Sequence, residues 1–183
     1  MKLFTVALAG ALLLPLGAMA ADAKEPQTQA EMVAKEVRHE LLMLPNLTVF
    51  DDLSYSIAGG PNGGAIVTLT GSVTRPVLKM SAVNVVKRLE TVDNVVDQID
   101  VLPLSPNDDR IRMAAFRKIY GDNVLSTRYG FRANPPIRII VKNGNIRLTG
   151  VVANEGDRNI AGIRAKEVNG AFAVSNELKV VQD

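Results

Sequence analysis

Two spacings of apolar residues take turns along this chain. From Gln29 to Leu44, Val33, Val37, Leu41 and Leu44 recur at helical intervals and predict an amphipathic helix that Pro45 stops. Leu53, Tyr55 and Ile57 then alternate with polar residues. So do Val67, Leu69 and Gly71 around Thr68 and Thr70, which predicts two strands with one buried face each. Gly59 to Gly64 separates them as a long turn. Thr74 is the expected N-cap of a second helix, with Pro76 tolerated in its first turn. Leu78, Ala82, Val85, Val86 and Leu89 mark the apolar side of that helix. A strand from Val95 to Val101 follows, and residues 102–108, holding Pro103 and Pro106, read as a linker.

The order then starts again. Ile111, Ala115 and Ile119 define a helix from Asp109 to about Tyr120, and Pro135-Pro136 opens a strand through Ile137, Ile139 and Val141. Asn143-Gly144 is a type I′ hairpin signal, because both central residues need positive φ. Ile146 and Leu148 carry the return strand, Asn154 caps a helix over Glu155–Glu167, and Val174 to Val180 closes the unit. The second half repeats the first at a constant offset of 79 positions. Val67-Thr68-Leu69-Thr70-Gly71-Ser72-Val73 falls on Ile146-Arg147-Leu148-Thr149-Gly150-Val151-Val152, Ala82 on Ala161, Val86 on Ala165, Val95 on Val174 and Ile99 on Leu178. A gapless repeat of this length means one structural unit was duplicated. The expected fold is α+β: two tandem α-β-β-α-β units (residues 29–101 and 109–183), each a three-stranded mixed sheet with two helices on one face. A unit of roughly 70 residues buries only about 60% of its unfolded surface, so the two copies are expected to touch.

Residues 1–20 have the form of a secretory signal peptide: Lys2, an apolar run from Leu3 to Leu16, and Ala18-Met19-Ala20 as the cleavage site. Residues 21–28 read as a polar lead-in. The chain contains no Cys, which removes both disulfides and a lipoprotein anchor from consideration. Periplasmic localisation after cleavage at Ala20 is the expectation.

Catalytic and cofactor chemistry finds little to work with. His39, the single histidine, lies between Arg38 and Glu40 beside a polar stripe, and no Gly-x-Ser-x-Gly elbow is present. Gly59–Gly64 lacks the Lys-Ser/Thr and the following helix of a phosphate-binding loop. Asp93, Asp97, Asp100 and Asp108-Asp109 lack the Gly-bearing loop and terminal Glu of a calcium site. Asn46-Leu47-Thr48 fits a glycosylation sequon, which a bacterial exported protein seldom uses. No metal, no cofactor and no nucleic-acid partner is expected, and nothing in the sequence sets an oligomeric state.

The ordered set of motifs resembles the BON family, the bacterial osmotic-stress and nodulation domain. The second unit carries it most fully. It has Ile146 to Val152, then Ala161 and Ala165, then Gly170-Ala171-Phe172-Ala173-Val174-Ser175-Asn176-Glu177-Leu178. The first keeps Val67 to Val73 and Ala82 but has Thr91-Val92 where Gly is expected, and Asp97 in place of Asn. Gly71, Gly150, Ala82, Ala161, Ala165, Gly170 and Asn176 are read as fold-keeping residues. The two glycines are expected where a strand ends against a crossing helix, and Asn176 is expected to bond nearby backbone. The resemblance implies a non-enzymatic envelope protein, tied to osmotic or envelope protection, that binds anionic phospholipid surfaces. The alternative it implies is an adaptor that holds another protein within an envelope assembly.

Charge localises the first of these functions. Residues 21–107 hold seven Lys/Arg against eleven Asp/Glu, and residues 108–183 thirteen against eight. That division implies either mutual docking of the halves or a basic face on the second unit. The candidate lipid-binding residues are Arg112, Arg117 and Lys118 on its first helix, Arg128 and Arg132 before the hairpin, and Arg138 and Lys142 on one face of the hairpin. Tyr120, Tyr129 and Phe131 are placed among them at headgroup level.

Overall fold

The computed structural model describes residues 28–181. The expected signal peptide and residues 21–27 lie outside the described residues. Helix α1 spans Gln29–Leu42, and its start is a capping box. Thr28 Oγ1 accepts from the Glu31 amide at 3.3 Å, and the Glu31 carboxylate accepts from the Thr28 amide at 3.0 Å. The helix ends two residues before the expected Leu44, because a residue preceding proline is pushed out of the helical region. Leu44 is buried all the same.

Strand β1 (Asp52–Gly59) pairs antiparallel with β2 (Ala65–Val73), and β3 (Val92–Val101) lies parallel to β2 after helix α2 (Pro76–Lys87). Thr74 does not cap α2. Its amide and hydroxyl both donate to the buried carboxylate of Asp51, at 2.7 and 2.8 Å, and the N-cap is Arg75 with no side-chain bond. Strand β3 begins at Val92, ahead of the expected Val95. The Asp93 carboxylate ties the Gly59–Gly64 turn to it, accepting from the amides of Asn62 and Gly64.

The second unit repeats the plan with α3 (Pro106–Tyr120), β4 (Ile137–Lys142), β5 (Asn145–Val152) and α5 (Glu155–Lys166), then β6 (Ala173–Asn176) and β7 (Lys179–Val180). Its sheet runs β4-β5-β6, with β7 also paired to β5. Helix α3 starts at Pro106, earlier than the expected Asp109. Ser105 caps it by accepting from the Asp108 amide, and proline is permitted in the first turn. The single strand expected from Val174 to Val180 is broken at Glu177-Leu178. There Asn176 bonds the Arg158 carbonyl at 2.8 Å and accepts from the Leu178 amide. The expected hairpin turn is present, with φ of 52° at Asn143 and 77° at Gly144.

Gly71 and Gly150 occupy matching surroundings, as duplication requires, with φ of 116° and 111°. The close neighbour is not a helix, as expected, but the adjacent strand. A β-carbon on Gly71 would fall 2.1 Å from the Asp52 carbonyl oxygen, and one on Gly150 1.9 Å from that of Pro136. Each unit has its own apolar core. Ala82, Ala161 and Ala165 are fully buried where helix meets sheet.

The two cores are stitched together by the segment between α1 and β1. Val49 is buried in the second unit's core, and Phe50 packs edge-on to Phe116 at 6.2 Å. The Ile139 amide donates to the Val49 carbonyl at 2.8 Å, so the first unit covers part of the open edge of β4.

Candidate functional site: a basic end on the second unit

Between α3 and β4 the second unit has a connection longer than its counterpart in the first. It folds as a short helix, α4 (Asn123–Leu125), running into a π-helical turn, Ser126–Gly130. Asp122 caps α4 by accepting from the amides of Val124 and Leu125, and Arg164 binds its other oxygen at 2.9 Å. Partial burial pushes the Asp122 carboxyl upward, but these bonds outweigh it and hold the group below the usual carboxylate range.

Asp157 fixes the π-turn from below. It is buried at the start of α5 and accepts from the Arg128 guanidinium at 2.7 and 2.8 Å and from the Tyr129 hydroxyl at 2.5 Å. The hydrogen bonds to this carboxylate hold Arg128 above the ordinary guanidinium value. The Tyr129 ring is buried, and Arg132 stacks over it at 5.9 Å. Phe131, between these arginines, is 89% exposed. Arg117 and Lys118 stand exposed in the last turn of α3, where with Val124 and Arg164 they line a shallow hollow of about 470 Å³.

The seven basic candidates therefore separate into three groups. Arg117, Lys118, Arg128 and Arg132 lie at the end where α3 finishes. Arg112 is inside, only 4% exposed, with its guanidinium donating to the Val141 carbonyl at 2.7 Å and to the Asp109 carboxylate. That burial corrects the expectation of a surface residue: the helix face carrying Arg112 packs on β4. Arg138 and Lys142 point from the helix-free face of the second sheet into the seam between units. Arg138 bonds the Thr48 carbonyl at 2.9 Å, and Lys142 pairs with Asp100 at 2.6 Å. Burial lowers the Arg138 pKa, against the opposing pull of Tyr120, Asp52 and Asp51. Of the three aromatic candidates only Phe131 reaches solvent. Tyr120 and Tyr129 are core, and burial drives the Tyr120 phenol well above its usual value although it donates to the Ile137 carbonyl at 2.7 Å.

The carboxylates considered for a cation are engaged in the fold. Asp97 pairs with Lys79, Asp100 with Lys142, and Asp108 accepts from the amides of Asn143 and Gly144 at the hairpin tip. Among the described residues no cluster of three or more His, Asp or Glu could hold a metal, and no helix is long and apolar enough to cross a membrane. Gly170 sits with positive φ in the turn after α5.

Comparison with known proteins agrees with this architecture. The BON domain profile matches residues 62–103 and 125–182, one segment in each unit. The chain belongs to the BON domain family, whose members are lipid- or protein-interaction modules and not enzymes. A search of the curated proteins finds no match. Among solved structures the chain is similar to CdsD, a structural protein of the type III secretion system of Chlamydia trachomatis. Identity is 12% over 82% of this chain and 92% of that one, with a TM-score of 0.32. It is also similar to the C-terminal domain of CdsD, at 15% identity over 81% and 96% of the two chains, with a TM-score of 0.29. At TM-scores this low neither likeness bears on function.

Proposed function

We propose that this is a non-enzymatic protein of the periplasm that binds anionic phospholipid surfaces through the α3 end of its second unit and serves envelope or osmotic-stress protection. The observation carrying this reading is Phe131, exposed at the tip of a turn and bracketed by Arg128 and Arg132. A phenyl ring left in water forgoes about 2 kcal/mol of transfer energy. Each neighbouring cation gains about 1 kcal/mol near an anionic headgroup layer. Phe131 with Arg117, Lys118, Arg128 and Arg132 supplies roughly 6 kcal/mol, comparable to a single acyl anchor and therefore reversible.

Flotation of residues 21–183 with phosphatidylcholine vesicles, with and without phosphatidylglycerol, tests this. Recovery is expected only with phosphatidylglycerol and to fall at high salt, and vesicle affinity is expected to drop about thirtyfold in Phe131→Ala with an unchanged melting temperature. Equal recovery on neutral and anionic vesicles, or full binding by Phe131→Ala, would refute the assignment.

One observation favours a second reading. Strand β3 forms a ten-residue sheet edge, a template on which a partner chain can add a strand. A stoichiometric protein cross-linked at Gln98 in cells, together with absent vesicle binding, would make the protein an adaptor instead.

A further inference from the structure

In both units the helices cover one face of the sheet, and the seam between units is built from the faces they leave bare. On the second unit that face carries Ile140 and Lys142 from β4, Asn145 and Arg147 from β5, and Ala173 and Ser175 from β6. The first unit presents Ser72, Asp100 and Leu102 to it. Where the two surfaces part they leave a cleft of about 380 Å³. That volume falls at the small end of the range for small-molecule sites, about 300–1,000 Å³. Ile140, Leu102 and Ala173 give it apolar walls, and Lys142, held by Asp100, fixes one side.

Arg147 is the unusual member. Its counterpart at the 79-residue offset is Thr68, so the cation belongs to this copy alone. Arg112, Arg128 and Arg164 each hold a carboxylate at short range, whereas Arg147 makes one hydrogen bond among the described residues, 3.3 Å to Ser72 Oγ. Glu177 approaches it to 3.9 Å but is half exposed and bonded by Ser175. A guanidinium has five donors in a planar fork suited to an acid group, and most of this fork is unspent beside an apolar wall.

We propose that the inter-unit cleft binds a small amphiphilic anion, a carboxylate or phosphate monoester on a short alkyl chain, with its acid group on Arg147 and its chain against Ile140, Leu102 and Ala173. This site is separate from the Phe131 surface. The two should come apart experimentally: Arg147→Ala is expected to leave vesicle flotation intact, and Phe131→Ala to leave binding in the cleft intact.

Calorimetric titration of residues 21–183 with octanoate, octyl phosphate and neutral octyl glucoside is the test. One-to-one, saturable binding is expected for at least one acid, and which of the two binds tells carboxylate from phosphate. Arg147→Ala is expected to weaken it about tenfold or more, since the charge-assisted contact is lost. Ala173→Trp fills the cleft without touching charge and should weaken binding as much. Glu177→Gln removes the competing carboxylate and should tighten it about threefold. These three side chains are partly or fully exposed, so the variants fold, which a thermal melt verifies. Absence of binding by both acids, octyl glucoside binding as tightly as they do, or unchanged affinity in Arg147→Ala and Ala173→Trp would each overturn the proposal.

Discussion

Replacing Gly150 by alanine tests the feature on which the duplicated architecture turns. At φ of 111° an L side chain is strained, at a cost of about 1–3 kcal/mol. The added β-carbon would also stand 1.9 Å from the Pro136 carbonyl oxygen and 3.1 Å from its carbon, backbone atoms that move only with the strand. Relief requires β4 to retreat at Ile137, the ladder partner of Gly150 and a fully buried core residue. Losing that pairing costs about 1 kcal/mol more, and loosening of the core around Ile137 adds to it. The expected loss is about 4 kcal/mol, a large part of the roughly 5–15 kcal/mol that holds a domain folded. It corresponds to a fall of roughly 10 °C in melting temperature. Gly71→Ala meets the Asp52 carbonyl oxygen at 2.1 Å and should behave alike. Gly59→Ala is the control. It adds a methyl with nothing within 4 Å and should change stability by less than about 0.5 kcal/mol. Urea titrations of the three variants decide the matter. If Gly71→Ala and Gly150→Ala lie as close to wild type as Gly59→Ala, the close approach of strands is not what these glycines serve.

Two further substitutions probe the joints of the molecule. Val49→Asp buries a carboxylate in the second unit's core from a segment of the first, and should cost about 3 kcal/mol or more. Limited proteolysis should then cut between units, and a melt indistinguishable from wild type would show that the cores do not share this residue. Asp108→Ala strips the hairpin tip of the acceptor for the Asn143 and Gly144 amides, at about 2 kcal/mol. Hydrogen exchange at those two amides should accelerate at least tenfold, and unchanged protection would refute the role given to Asp108.

The elements carrying the repeat were legible because their periodicity is strong and their neighbours are local. Val67, Leu69 and Val73 alternate, Leu78, Ala82 and Val86 recur at helical spacing, and Asn143-Gly144 announces its own turn. What escaped depends on partners distant in sequence. Thr74 looks like a cap until Asp51, 23 residues earlier, takes both its hydrogens. Arg112 sits among exposed-looking polar residues, yet the carbonyl that accepts from it is 29 residues away on β4. The segment from Asp122 to Gly130 has no long apolar period, and its order comes from Asp122 and from the buried Asp157. Asp97 in place of the family's Asn is legible only in three dimensions. Lys79, which aligns with Arg158, reaches the Asp97 carboxylate at 3.2 Å and the Ile99 carbonyl at 2.7 Å, while Asp97 still accepts from the Ile99 amide as Asn176 does from that of Leu178.

The uneven charge of the two halves admitted either docking between them or a basic surface, and the structure assigns different residues to each. Arg138 and Lys142 meet Thr48 and Asp100 of the first unit, so part of the second unit's positive charge is consumed in the seam, while Arg147 touches the first unit through Ser72 Oγ alone among the described residues. Arg117, Lys118, Arg128 and Arg132 take no part there. In the first unit the helix-free face carries Ser54, Ser56, Thr68 and Thr70 in place of cations. That face carries no cation and offers Asp100 to Lys142, so it can lean on the charged one without repulsion, and two like-charged copies could not. Divergence after duplication has thus done two things at once. It made one unit a counter-surface that holds the other in place, and it left the second unit's α3 end, with Phe131 exposed at its tip, outside the seam.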